Sequence, residues 1–156
     1  MSNATFLDRS FLSQSFYNLG FIVFLFFALA GAAHAEQKHS FNGFELHYIV
    51  IPTTMLTPEI ARSYDLPRGK DRALLNVSVL NRDGKAVEAE LAGTSTNLLS
   101  QQQRLGFTRV QEGEAIYYLA TIRHSPEEVH RINIDANVVG IASTNLKFNQ
   151  KLYWSE

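Results

Sequence analysis

The sequence predicts an all-β protein, an antiparallel immunoglobulin-like β-sandwich of about seven strands with one short helix between the first two strands. Two observations predict this class: apolar and polar residues alternate with a period of two, and short polar turns separate the alternating runs. Such alternation is typical of strands with one buried face, because successive side chains point to opposite faces of a sheet. The chain contains no cysteine, so it lacks the cysteine pair of true immunoglobulin domains, and only the architecture is predicted.

The clearest strand pattern covers residues 131–138, where every even position is apolar and every odd position is polar. Residues 115–122 are apolar at both alternating sets of positions, which predicts a central strand. The other predicted strands cover residues 44–50, 75–79, 87–91, 105–107 and 146–154. Glycine, proline and asparagine mark the turns between them.

One segment predicts a helix of about two turns instead of a strand. Thr57 is a good capping residue, Pro58 suits the first helical position, and Glu59 lies in the first turn. Pro67 prevents the helix from continuing. The whole connection covers residues 52–72, and connections of this length in small domains often carry function.

The first 35 residues have the layout of a secretory signal peptide. An apolar run covers residues 19–30, and small residues follow it up to Ala33-His34-Ala35, an A-x-A cleavage site. The apolar stretch from Leu19 to Ala33, about 15 residues long, is shorter than the roughly 20 residues that span a bilayer. We therefore expect a cleaved signal peptide at residues 1–35, a periplasmic location, and a single β-sandwich domain at residues 36–156 with no stable membrane anchor after cleavage. The alternative is an uncleaved anchor, because Arg9 is the only basic residue before the run.

The charge balance gives no electrostatic reason to expect a nucleic-acid partner. The chain has 14 basic and 15 acidic residues. Removing residues 1–35 takes away Arg9 and Asp8, so the counts become 13 and 14. A net charge of −1 provides no attraction for polyanions.

The search for catalytic and metal motifs gives no match. The sequence has no G-x-S-x-G, no H-E-x-x-H and no phosphate-binding glycine loop. Its cysteine-free domain excludes thiolate metal sites, and the spacing of its histidines fits no metal motif. We therefore expect no cofactor and no metal site, and the absence of a catalytic motif leans against an enzyme.

Arg68, Lys70 and Arg72 are the strongest candidate binding residues. Three cations at alternate positions can project to one side of an extended segment and bind a carboxylate, a phosphate or an acidic protein surface. The alternative is a solvated loop in which Asp65 and Asp71 neutralise them.

Residues 93–101 are small, polar and rich in hydroxyl groups, and they give Thr96 and Asn97 as further candidate ligand contacts. The alternative is a strand end and crossing loop whose side chains satisfy backbone groups.

Four aromatic residues could form a binding surface as in carbohydrate-binding modules, or could pack in the core. They are Tyr117, Tyr118, Tyr153 and Trp154.

Three segments resemble the landmarks of a bacterial exported family, domain of unknown function family 4426. They are Arg72-Ala73-Leu74-Leu75-Asn76-Val77-Ser78-Val79, Gly93-Thr94-Ser95-Thr96-Asn97-Leu98-Leu99 and Glu112-Gly113-Glu114-Ala115-Ile116-Tyr117-Tyr118. The resemblance implies a small periplasmic β-sandwich protein of Gram-negative bacteria. It supplies no catalytic residues.

The favoured function is a non-enzymatic periplasmic binding or protein-interaction domain. Its contact surface would be the long connection with Arg68, Lys70 and Arg72, and its partner a periplasmic protein or a small anionic ligand. One alternative is a periplasmic hydrolase or isomerase that uses dispersed groups such as His124 with Glu127 or Glu128. Another is an accessory chaperone-like module that offers an edge strand to a client.

Overall fold

Nine strands pair into two antiparallel sheets in the computed structural model, which describes residues 37–155. The five-stranded sheet has the order β1-β2-β3-β7-β6, and the four-stranded sheet has the order β5-β4-β8-β9. The strands are β1 (Gln37–Phe41), β2 (Phe44–Pro52), β3 (Arg72–Leu80), β4 (Glu90–Asn97), β5 (Gln102–Leu105), β6 (Thr108–Glu112), β7 (Ala115–Arg123), β8 (Glu128–Val138) and β9 (Ala142–Leu152). Residues of both sheets form one hydrophobic core, so the sheets pack face to face.

The predicted all-β class, the antiparallel pairing and the short helix are confirmed. The prediction of seven strands is wrong in two places. The pattern search missed β1, which joins β2 through Asn42 and Gly43 at positive φ of 44° and 83°. This is the geometry of a two-residue type I′ turn. The helix consequently follows the second strand and not the first.

The second error concerns residues 105–107, which the pattern placed in one strand. Leu105 ends β5, and β6 begins at Thr108. The two strands belong to different sheets, so the chain crosses between the sheets where the alternation seemed continuous. The strand predicted at residues 87–91 is also displaced, because β4 begins only at Glu90.

A segment that we call the strap, residues 53–71, lies over the outer face of the five-stranded sheet. It contains a 3-10 turn (Thr53–Met55) and helix α1 (Pro58–Ser63). Thr57 Oγ1 accepts a hydrogen bond from Ile60 N at 3.3 Å, as the capping prediction required. The Tyr64 hydroxyl donates to the Glu112 carboxylate on β6. Since the strap leaves β2 and returns to β3, this bond shows that it crosses β3 and β7.

The strap explains why β7 is apolar at both sets of alternating positions. Ile116, Tyr118, Ala120 and Ile122 face the core between the sheets. Leu119 is also buried but lies outside that core, beneath the strap.

Among residues 37–155, no helix is long and apolar enough to span a membrane. The predicted signal peptide and the cleavage site lie outside the described residues.

Candidate functional site

The connections of the two sheets are divided between two ends of the domain. At one end β2, β4, β7 and β9 finish, while β3, β5 and β8 begin. We call this the loop end and define it by residues 53–57, 68–71, 98–101, 124–127 and 153–155. The opposite end, the turn end, consists of residues 42–43, 81–86, 113–114 and 139–141.

Large exposed hydrophobic side chains concentrate at the loop end. Residues 37–155 contain seven of them, and five lie at this end. Leu98 and Leu99 are the most exposed of the five, at 70% and 78%. The five are Met55, Leu98, Leu99, Tyr153 and Trp154. Exposed apolar clusters of this kind mark contact surfaces more often than scattered single residues do.

Two lysines cover the aromatic rings of the loop end. Lys70 Nζ lies 4.5 Å from the centroid of the Trp154 ring, and Lys151 Nζ lies 5.0 Å from that of Tyr153. A hydrogen bond from Lys151 to Glu127 is the main cause that raises the pKa of Lys151, and Tyr153 adds to it. Each pair therefore combines an apolar ring face with a positive charge.

The turn that carries Leu98 and Leu99 is held by Asn97. Asn97 Oδ1 accepts hydrogen bonds from Leu99 N at 3.1 Å and from Gln101 N at 2.8 Å. Its Nδ2 donates to Glu128 Oε1 at 2.7 Å. Asn97 is buried, so both leucines project from a turn that is fixed to β8.

A buried chain of polar groups continues from Glu128. Glu128 Oε2 accepts from Ser125 N at 2.7 Å and lies 3.0 Å from His130 Nε2, while His130 Nδ1 lies 2.7 Å from Ser95 Oγ. The Ser125 N–H is the main cause that lowers the pKa of Glu128. Burial opposes this effect, and hydrogen bonds from His130 and Asn97 add to it. We call Ser95, Asn97, Glu128 and His130 the polar network.

The order serine, histidine, carboxylate is that of a catalytic triad. However, Ser95 is 0% exposed and His130 is 3% exposed. A substrate therefore has no access to Ser95 Oγ in this conformation. The arrangement instead satisfies buried polar groups behind the Leu98–Leu99 turn.

Among residues 37–155, no hydrogen bond or ion pair joins His124 to Glu127 or Glu128. His124 Nδ1 bonds to the Ser125 carbonyl at 2.9 Å. Glu127 pairs with Lys151, and the histidine beside Glu128 is His130. Within residues 37–155, no group of three or more His, Asp and Glu residues could hold a metal ion.

Arg68, Lys70 and Arg72 have three different partners. Arg68 Nε donates to the Leu56 carbonyl at 2.7 Å, and its Nη2 donates to the Thr54 carbonyl at 2.9 Å. Arg72 lies beside Asp71 at 4.0 Å. Of the three, Lys70 covers an aromatic ring of the loop end, and the joint role of the row in binding stays a prediction.

The hydroxyl-rich segment at residues 93–101 is mostly strand, because β4 runs to Asn97. Gly93 is required there, since a Cβ would lie 2.8 Å from the Asn133 carbonyl oxygen on β8. Thr96 Oγ1 accepts from Gln102 Nε2 on the neighbouring β5 at 3.3 Å. Asn97 satisfies backbone groups, as the alternative interpretation expected.

The four candidate aromatic residues do not form one surface. Tyr118 is buried in the core, and its hydroxyl accepts from Ala89 N at 2.8 Å. Tyr153 and Trp154 are exposed at the loop end.

Sequence reasoning missed Leu98 and Leu99 as surface residues, although two adjacent leucines in a polar segment are a usable signal.

Comparison with known proteins gives a family and related folds. The DUF4426 family, a domain of unknown function, matches residues 38–155. A DUF4426 family protein from Pseudomonas aeruginosa PAO1 is 31% identical with a TM-score of 0.72, and the match covers 80% of this chain and 99% of that chain. No curated protein matches the chain.

Two structures of FetP from uropathogenic Escherichia coli strain F11 share the fold at lower identity. FetP recombinantly expressed in the E. coli periplasm is 13% identical with a TM-score of 0.58, and the match covers 78% of this chain and 96% of that chain. A copper-bound FetP variant is 14% identical with a TM-score of 0.57, and the match covers 78% and 97%.

Proposed function

The chain belongs to the DUF4426 family, and we propose that it is an exported, non-enzymatic binding or protein-interaction domain whose contact surface is the loop end. The observation that carries this proposal is that five of the seven exposed large hydrophobic residues among residues 37–155 lie there. We include in the proposal that the two sheets form an immunoglobulin-like sandwich. In such folds the loops at one end often bind the ligand.

The chemistry of the loop end favours a partner that presents apolar groups beside carboxylates. Leu98 and Leu99 supply apolar area, and Trp154 and Tyr153 supply the aromatic anchors that dominate many interfaces. Lys70 and Lys151 place ammonium groups beside those rings. A periplasmic protein with an acidic rim around an apolar contact matches this surface, as does a small anionic ligand.

The preformed Leu98–Leu99 turn strengthens the proposal. Ordering a loop on binding costs conformational entropy, which subtracts from affinity. Here Asn97 and Glu128 have already fixed the turn. The two leucines are thus presented in one conformation before any partner arrives.

Periplasmic export is part of the proposal and rests on the sequence of residues 19–35. The related fold of FetP, produced in the E. coli periplasm, is consistent with it. Copper binding is not carried over from the FetP variant, because a likeness at 14% identity shows the fold alone.

The edge-strand alternative is less favoured. The edge strand β9 carries Lys147 and Lys151, and the edge strand β6 carries Arg109 and Glu112. Charges on edge strands oppose pairing with another chain. His39 Nε2 of β1 also forms a hydrogen bond with Thr144 Oγ1 of β9 at 2.9 Å, so β1 already contacts part of the β9 edge.

A photo-cross-linking amino acid at one exposed position of each end tests the proposal. Leu99 and Ile141 are matched positions, exposed to 78% and 71%. In cells that express the exported protein, we expect a discrete cross-linked product from position 99 and none from position 141. Equal products from both positions, or none from position 99, would overturn the loop-end assignment.

A test of the cationic row should replace Lys70 alone. Replacing all three cations would confound binding with folding, because Arg68 holds the two carbonyls of the strap. The roles of Arg72 and Thr96 in binding stay predictions.

A further inference from the structure

A second apolar surface lies beneath the strap, separate from the core between the sheets. On the outer face of the five-stranded sheet, Ile51, Leu74 and Leu119 are buried. From the strap, Leu56 and Ala61 are buried as well. None of these five belongs to the core shared by the two sheets. The strap and the sheet therefore enclose an apolar layer of their own.

Asn76 interrupts this apolar layer. It pairs with Leu119 of β7 and with Ile49 of β2, and its residue exposure is only 7%. Asn76 Oδ1 has no hydrogen-bond partner, and it is the only such buried side-chain atom among the described residues. A buried amide oxygen normally accepts a hydrogen bond. Asn76 therefore requires a donor that the protein itself does not supply.

The strap is fastened differently on its two sides. At the loop end, Thr53 Oγ1 donates to the Arg72 carbonyl on β3 at 3.2 Å, and His124 N donates to the Asp71 carbonyl at 3.0 Å. Across the sheet, the Tyr64 hydroxyl donates to the Glu112 carboxylate. Burial first, and Glu112 second, raise the pKa of Tyr64 to about 12, so the phenol keeps its proton at neutral pH. We call the Tyr64–Glu112 bond the latch.

A groove of about 380 Å³ opens between α1 and the segment that follows it. All of its lining residues belong to the strap, and they include the buried Ala61. The lining is mainly apolar, with two arginines and one aspartate. Its lining includes Pro58, Ala61, Leu66, Pro67, Arg62 and Arg68.

We propose that the strap covers a binding site for a small, mainly apolar ligand with one hydrogen-bond donor, which Asn76 Oδ1 accepts. Ile51, Leu74 and Leu119 form the floor of this site, and opening the latch gives access to it. The floor of this site lies on the outer face of the five-stranded sheet, outside the residues that define the loop end, although the strap that covers it shares residues 53–57 and 68–71 with that end. Binding at this floor is tested apart from partner capture by Leu98 and Leu99.

Indole and indene test this inference because they have nearly the same shape, while only indole has an N–H donor. Tyr64→Phe removes the latch hydroxyl, and Ser143→Ala removes an exposed hydroxyl on β9, outside both proposed surfaces, as a control. Binding is measured by NMR titration of the exported domain. If the latch contributes one charge-assisted hydrogen bond, Tyr64→Phe should bind indole about tenfold more tightly than the unmodified protein. Ser143→Ala should bind indole as the unmodified protein does.

The donor requirement is tested in the Tyr64→Phe background. Indole should bind several-fold more tightly than indene there, with shifts centred on residues 51, 74, 76 and 119. Adding Asn76→Leu should reduce indole to the affinity of indene. Equal binding of the two probes to Tyr64→Phe would overturn the inference, and so would an occluded water on Asn76 with no shifts from either probe. Neither of these two results depends on the Asn76→Leu variant, so the inference can be overturned even if that variant fails to fold.

Discussion

Each end of the domain exposes a pair of aliphatic side chains, but the two pairs are held differently. At the turn end, Val139 and Ile141 flank Gly140 in a tight hairpin closed by the backbone bond from Ile141 N to the Val138 carbonyl. At the loop end, the turn of Leu98 and Leu99 is tied to another strand by the buried side chain of Asn97. The exposure of Val139 and Ile141 follows from the shortness of their hairpin turn, whereas the position of Leu98 and Leu99 requires polar side chains that hold their turn.

The polar network gives this difference between the two turns an energetic basis. Burying Ser95, Asn97 and His130 has a desolvation cost that is offset only if each group finds a partner. Networks with every member satisfied fix one conformation in return. The Leu98–Leu99 turn is therefore fixed as well as apolar, a combination that suits recognition.

Glu128→Gln should give the largest loss of stability. Glu128 accepts three hydrogen bonds, from Ser125 N, His130 Nε2 and Asn97 Nδ2. An amide cannot accept at both positions, so at least one buried donor loses its partner. We expect the free energy of unfolding to fall by about 2 kcal/mol. Urea denaturation followed by circular dichroism measures it.

Glu127→Gln is the matched control for this prediction. Glu127 is its sequence neighbour, and it makes only an exposed pair with Lys151. We expect a change within about 0.5 kcal/mol. Similar losses for both variants would mean that the hydrogen bonds of Glu128 in the polar network contribute no more to stability than an exposed ion pair does.

The pH dependence of stability should show a smaller effect of the same network. Glu128 has a pKa below its ordinary value of 4.5, chiefly because of the Ser125 N–H bond. A lowered folded pKa contributes stability that is present above the unfolded pKa and is lost as the pH falls through the folded pKa. The difference in unfolding free energy between the unmodified protein and Glu128→Gln should therefore shrink as the pH falls below about 4.5. A difference that stays constant from pH 7 to pH 3 would contradict this.

The local patterns of the fold were predictable where one face of an element is buried. The alternation at residues 131–138 lies within β8, and the capping signals of Thr57 and Pro58 mark the start of α1. The hairpin at Asn42 and Gly43 was also predictable from its turn residues, but the search relied on alternation. The short β1 showed too little of that pattern.

The candidate site was less predictable because it depends on pairing between distant strands. Glu128 and His130 are two residues apart on one strand, so their shared face could have been recognised had the predicted strand begun before residue 131. Their contacts with Asn97 and Ser95 depend on the register of β4 against β8. No local pattern determines which strands become neighbours or in which register they pair.

The most direct test of the central claim compares partner capture by two double-serine variants of the exported protein. Leu98→Ser with Leu99→Ser changes the loop end, and Val139→Ser with Ile141→Ser makes the same kind of change at the turn end. Both pairs are exposed, so both variants should keep the melting temperature of the unmodified protein. We predict that only the loop-end variant loses the proteins captured by cross-linking in the native compartment. Full capture by the loop-end variant, or equal loss in both variants, would contradict the account.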